Sequence, residues 1–279
     1  MTMNQLDDTE IATRLAFATR IATEAGSRLF ALRASGRWSD EAILGDIGDQ
    51  AADGYLQGYL RGRYPDDGLL SEETVDAADR LGKSVTWIVD PLDGTKEYSS
   101  GRHDWAVHVG LAVDGVPVLG GVALPAIGRV MAGVCSGGRM LATITGASGD
   151  WPTRFADDAG PNVGTPLRMV VSRSHTPDWV QRFAQQMGGA ELIPCGSVGF
   201  KVAMLLLGKA DVYVHNKGLK EWDTCAPEAI AMAAGWSVCR IDGSKQRYNQ
   251  ANPRNDEIVV CRPWLRERVV AQLAACGPK

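Results

Sequence analysis

Apolar residues recur at Ile11, Leu15, Ala18, Ala22, Ala25 and Leu29, in steps of three and four that place them on one face of a long first helix. A second helix is predicted from Asp46 to Tyr64. The period then changes. Gly68-Leu69-Leu70-Ser71 reads as a short buried strand ending at Glu72 and Glu73. From Val85 to Ile144 the pattern is that of strands, with Asp114-Gly115 and Gly137-Gly138 as hairpin signals. Four glycines and three prolines then stand among polar residues from Gly146 to Pro166, which marks a seam between residues 1–150 and 166–279. Beyond it, strands near Leu167 to Ser172, Ala210 to His215 and Glu257 to Cys261 alternate with helices near Asp178 to Met187, Ser197 to Leu207, Thr224 to Ala234 and Pro263 to Ala275. Helices, a largely antiparallel sheet, and a second sheet with its own helices predict an α/β (α+β) fold, a layered αβαβα sandwich whose halves make one compact unit.

Composition narrows the classes of function. With 279 residues, 45% of them hydrophobic and 22% charged, the chain can bury a large core. A net charge of −4 argues against general affinity for nucleic acid, and nothing approaches a membrane span. The six cysteines are widely spaced, with no C-x-x-C, as expected of reduced thiols. The first ten residues carry acids and no apolar core, so no signal peptide is expected and the predicted location is cytoplasmic. His103, His108 and His215 show no ligand spacing, and His108, inside an apolar strand pattern, is expected to play a hydrogen-bonded structural role.

The densest chemistry lies in Trp87 to Tyr98, WIVDPLDGTKEY. A buried strand would deliver Asp90 at its end, and Pro91 would turn the backbone out of the sheet. Asp93 is then placed to cap the next helix and to bind a hard cation. Gly94 would let an anion approach the main chain, and Thr95 adds a hydroxyl and an N–H. On its own this stretch is equally a strand, a turn and a capped helix. Rival motifs fail on spacing. An EF-hand loop counted from Asp90 meets Leu92, Gly94 and Gly101 where oxygen ligands belong; Asp90 and Asp93 are not a D-x-D pair; and no Walker loop occurs. Further acids stand at the ends of other buried elements: Glu72, Asp49 one turn before Asp53, and Asp223 as predicted N-cap of an apolar helix. Carboxylates so placed, without Cys or His at ligand spacing, make an oxygen-donor site suited to magnesium rather than zinc.

Glu72-Glu73, then Asp90-Pro91-Leu92-Asp93-Gly94-Thr95, then Trp222-Asp223 resemble the signature of the inositol monophosphatase superfamily of magnesium-dependent, lithium-sensitive phosphatases, over nearly the whole chain. The family's early P-V-T-x-A-D differs: Leu44-Gly45-Asp46-Ile47-Gly48-Asp49 matches only in its last acid. The resemblance implies the sandwich shared with fructose-1,6-bisphosphatase and two or three Mg2+ ions. Glu72, Asp90, Asp93, Asp223 and the Leu92 carbonyl would hold two, with Asp49 and Glu72 completing a third, weaker site. It also implies water activated by Thr95 and Asp49, and a phosphate held against Asp93 and the amides of Gly94 and Thr95.

Val171-Ser172-Arg173-Ser174-His175 and Gly196-Ser197 with Lys201 are similar to the bacterial 3'-phosphoadenosine 5'-phosphate phosphatase branch, which clears a by-product of sulfate assimilation. A nucleotide bisphosphate has a second phosphate to be held by cations, a task that fits Arg173, His175, Lys201 and Arg247, with Ser197 beside them. The same machinery acting on inositol phosphate or fructose 1,6-bisphosphate is the alternative, and a metal-binding scaffold without catalysis is the third reading. The partner implied is a small phosphate ester. Dimers are common among such relatives, but no sequence feature names a homodimer interface.

Overall fold

The computed structural model describes residues 6–76, 78–136, 138–146, 155, 165–174 and 176–278. Two long helices come first, α1 (Asp8–Ala34) and α2 (Glu41–Arg63). Helix α2 begins before the predicted Asp46 because Asp40 caps it, its side chain accepting from the Ile43 N–H. Strands β1 (Gly68–Ser71) and β2 (Val85–Asp93) follow, then the short α3 (Thr95–Ser99) and a meander of β3 (Ala106–Val113), β4 (Val116–Leu124), β5 (Arg129–Ser136) and β6 (Arg139–Gly146). These six strands form one sheet in chain order, with β1 parallel to β2 and the rest antiparallel. Asp114 and Gly115, both at positive φ, turn β3 into β4 as the hairpin signal predicts.

The chain then supplies β7 (Arg168–Ser172), α4 (Asp178–Gln186), β8 (Glu191–Cys195), α5 (Val198–Leu206), β9 (Val212–His215), α6 (Glu221–Ala233), β10 (Ser237–Cys239), β11 (Ile258–Cys261) and α7 (Arg266–Cys276). Their sheet runs β10-β11-β9-β7-β8. The change of sheet falls between Gly146 and Arg168; most of the predicted seam, residues 147–154 and 156–164, lies outside the described residues.

Apolar cores join five layers, so the chain forms the αβαβα sandwich. Ile11, Ala18, Ala22, Ala25 and Leu29 of α1 meet Trp87, Val89, Val109 and Leu111 on one face of the first sheet. The other face and the second sheet enclose α5 and α6, with Val122 and Met131 against Phe200, Val202 and Ile230. Helices α4 and α7 cover the outside, Phe183 and Val269 packing on Met169 and Val259. A row of glycines seats α6. Gly110, Gly120 and Gly133 are cross-strand partners on β3, β4 and β5. A Cβ on Gly120 would stand 2.4 Å from the Ala226 carbonyl oxygen, and one on Gly133 2.9 Å from the Ile230 Cα. Only a side-chain-free track lets the helix backbone lie this close, and that fixes where its first turn, with Asp223, is held. No helix among the described residues is long and apolar enough to cross a membrane.

Candidate metal centre

Strand β2 is buried at all nine positions and carries two acids at its end. It does not leave the sheet at Pro91, as the sequence suggested. Pairing continues from Asp90 opposite His108, through a bulge, to Asp93 opposite Ala106. A bulge accommodates a residue with no N–H to donate, and the Asp90 carboxylate accepts the Leu92 N–H at 3.0 Å to hold the bend.

Asp93 is also not the cap of the following helix. Gly94, in the left-handed region at φ 93°, is the N-cap of α3. The Asp93 carboxylate reaches instead to α5: Oδ2 accepts from the Gly199 N–H at 2.8 Å and from the Ser197 hydroxyl. Ser197 itself caps α5, accepting from Phe200 N at 3.0 Å. Asp223 is likewise not an N-cap. Lys220 holds that position, and Asp223 lies three residues into α6, where Oδ2 accepts the Lys220 N–H at 2.6 Å.

Asp49 approaches from α2 across two glycines. A Cβ on Gly45 would be 2.9 Å from Thr95 Cγ2, and one on Gly48 would be 3.0 Å from the Tyr98 ring. Helix α2 therefore passes directly over Thr95. The Thr95 hydroxyl donates to the Leu92 carbonyl at 3.1 Å and lies near enough to Asp49 to pull that carboxyl's pKa down. Glu72 follows β1, which lies parallel to β2, and this brings its carboxyl beside that of Asp90.

The acids repel one another. Asp49 is 6% exposed, and burial, then Glu73, raises it to about 7 against the pull of Thr95. Glu72 has one side open to solvent, yet the protein around its carboxyl, then Asp49 and Asp93, brings it to about 7 as well. Asp223 reaches about 7 through burial and Asp93, and Asp90 is pushed well above the usual range by burial and Glu72. Asp93 moves the other way: burial pushes it up, but His108, Lys201 and Ser197 outweigh that.

Such a cluster is short of positive charge. Asp49 Oδ1 is buried with no hydrogen-bond partner, and the donors are carboxylate and carbonyl oxygens, the set a hard divalent cation selects. The residues present therefore fit Mg2+. Among the described residues, the ligand atoms of Asp90, Asp93 and His108 lie within 4.8 Å of one another. His108, expected from the sequence to play a hydrogen-bonded structural role, does find a polar partner here, with Nδ1 3.2 Å from the Trp222 carbonyl. The signal for it was a single histidine in the apolar run Ala106–Val113, which must find a polar partner when buried.

The residues expected to hold a second phosphate are placed differently. Arg173 is already paired, 2.9 Å from Glu97 and 2.6 Å from Asp104, both buried carboxylates that need a counter-charge. Lys201 is 2% exposed; its ammonium donates to the Gly196 carbonyl and lies 5.5 Å from the centre of the Tyr213 ring. It faces the interior as a positive charge for Asp93, not the solvent. Arg247 is exposed beside Tyr248, whose N–H binds Gly115 in the β3–β4 hairpin. The same segment is tied to the start of α6, the Tyr248 hydroxyl lying 3.1 Å from that of Thr224 and the Asn249 N–H donating to Glu221. Ser197 does stand at the acids, as a cap and a donor to Asp93. His175 lies outside the described residues.

The inositol monophosphatase family model matches residues 4–277. The chain is 36% identical over 267 residues to a Mycobacterium leprae protein named 3'-phosphoadenosine 5'-phosphate phosphatase, covering 90% of this chain and 89% of that one. Among solved structures, CysQ from Bacteroides thetaiotaomicron superposes with a TM-score of 0.75 at 28% identity, over 90% of this chain and 97% of that one. An inositol monophosphatase from Anabaena gives 0.71 at 22% identity, covering 97% and 98%, a likeness of fold alone.

Proposed function

Since the chain belongs to the inositol monophosphatase family, we propose that it is a Mg2+-dependent phosphomonoesterase that converts 3'-phosphoadenosine 5'-phosphate to AMP and phosphate. The observation that carries the hydrolytic part is the meeting of Asp90, Asp93, Glu72 and Asp223 beside Thr95 and Asp49, an anionic cluster with an unsatisfied buried oxygen. Glu72, Asp90, Asp93, Asp223 and the Leu92 carbonyl would hold two ions, and Asp49 with Glu72 a third. When bound, Mg2+ supplies positive charge against the phosphate dianion and lowers the pKa of water. The chain's own contribution is positional. Thr95 and Asp49 form a hydroxyl–carboxylate pair able to take the proton of an attacking water. The amides of Gly94 and Thr95 would face the phosphate oxygens as their charge redistributes.

The nucleotide assignment is supported by what the mycobacterial relatives are named for. Inositol or sugar phosphate is the second reading, favoured by the engagement of Arg173 and Lys201 elsewhere. The site of action is taken as the cytoplasm, in keeping with six free cysteines. Values of kcat/KM for 3'-phosphoadenosine 5'-phosphate, AMP and inositol 1-phosphate, with Mg2+ and with EDTA, test the proposal. The bisphosphate should lead and EDTA should stop all turnover; equal values for the three substrates would refute the nucleotide assignment. Millimolar Li+ should inhibit.

A further inference from the structure

Asp93 and Asp223 come from different halves of the sandwich, so something must set the distance between them. We infer that His108 does this, as a positioning residue whose ring ties the Asp93 carboxylate to the main chain that presents Asp223. His108 lies on β3 directly opposite Asp90, so the two side chains share one face of the sheet. Its ring is fully buried. Nδ1 is 3.2 Å from the carbonyl of Trp222, the residue just before Asp223. Nε2 is 3.1 Å from Asp93 Oδ2, the separation of an ion pair, with the ring turned off the line of an ideal hydrogen bond. Both nitrogens thus face oxygen acceptors, one on each half of the molecule.

The ring has no freedom to leave that position. A Cβ on Gly199 would stand 2.2 Å from Nε2, so the first turn of α5 closes directly over the imidazole. The Gly199 N–H is also one of the donors to Asp93 Oδ2, together with Ser197. Oδ2 therefore accepts two hydrogen bonds from α5 with the imidazole 3.1 Å away, and the other oxygen of Asp93 is the one placed to meet an ion. An ion placed between Nε2 and Oδ2 would compete with the two hydrogen bonds that Oδ2 already accepts. His108 accordingly orients a ligand and is not one. Groups that hold metal ligands in place are typically worth about 10–100-fold in affinity.

This inference rests on the metal reading above, and the test separates the two. Mg2+ is titrated calorimetrically into metal-free wild type, His108→Gln and His108→Asn, with melting temperature in EDTA as the control for folding. The wild type should bind. His108→Gln, whose amide can still reach Asp93, should bind within about threefold of it, and His108→Asn, which is too short, about tenfold or more weaker. A wild type that binds no Mg2+ sinks both readings; a wild type that binds, with His108→Asn equal to it, sinks the positioning role alone. Should the variants fail to fold, pulsed EPR of Mn2+ in the wild type decides. Absence of 14N coupling from an imidazole is expected, and its presence would make His108 a ligand and overturn the inference.

Discussion

Replacing Asp49 by Asn should make the metal-free protein more stable. Asp49 is 6% exposed, its Oδ1 has no partner, and burial with the neighbouring acids raises it from an ordinary 3.8 to about 7. A raised carboxyl binds its proton more tightly in the fold than in the unfolded chain. Its favourable contribution is full below about pH 4, is lost as pH rises to about 7, and is constant above that. The gap between 3.8 and about 7, at ~1.4 kcal/mol per pH unit, sets a ceiling on the order of 4 kcal/mol at pH 8. Relaxation and water entry reduce it, so a gain of about 1–4 kcal/mol is expected, or about 3–10 °C in melting temperature. Calorimetry in EDTA at pH 8 and pH 5 measures it. The advantage of Asp49→Asn should be large at pH 8 and small at pH 5, and Mg2+ should narrow it by stabilising the wild type. Equal melting temperatures at pH 8, or a larger gain at pH 5, would show that Asp49 is not a destabilising buried charge.

Asp90→Asn should abolish turnover without unfolding the chain, since it keeps shape while removing a carboxylate that its neighbours already disfavour; wild-type kcat in Mg2+ would refute the assignment. Arg173→Met should lower stability by about 2–4 kcal/mol, seen as a lower melting temperature, because it strands the buried carboxylates of Glu97 and Asp104. A variant that melts like wild type but loses affinity for the bisphosphate would restore Arg173 to the substrate. Gly120→Ala should cost about 1–3 kcal/mol or more by lifting α6 from the sheet, and should weaken Mg2+ binding through Asp223 as well.

Helix α1 and the central strands were legible because their apolar positions repeat with a single period and end up in one core. Strands β8 and β10 were not. Each is an edge of the second sheet; β8 contains Pro194, tolerated only at an edge, and β10 is three residues long. The acids were legible as a set because carboxylates at the ends of buried elements have few uses. Their local roles were misread for one reason. Asp93 stands next to a helix start, but the helix whose first turn it binds begins at Val198, more than a hundred residues on, and no local pattern reports that partner. Lys201, a lone polar residue inside VGFKVAMLL, carried the same signal that was read for His108 inside AVHVGLAV, and was assigned to the substrate instead. A segment apolar on all sides is buried, so its one charged or ionisable residue must face a counter-charge rather than a ligand in solvent.

If these scattered oxygens form one site for divalent ions, an ion that binds there must displace protons. In metal-free protein at pH 7, Asp49, Glu72 and Asp223, each held at about 7, are partly protonated. An ion that binds them must expel those protons. Mg2+ titrated calorimetrically in buffers of different ionisation enthalpy should show release of about one proton or more per protein at pH 7, falling toward zero by pH 9 and absent in Asp90→Asn. Binding with no proton release at pH 7, or no binding at all, would show that these carboxyls do not share a metal site.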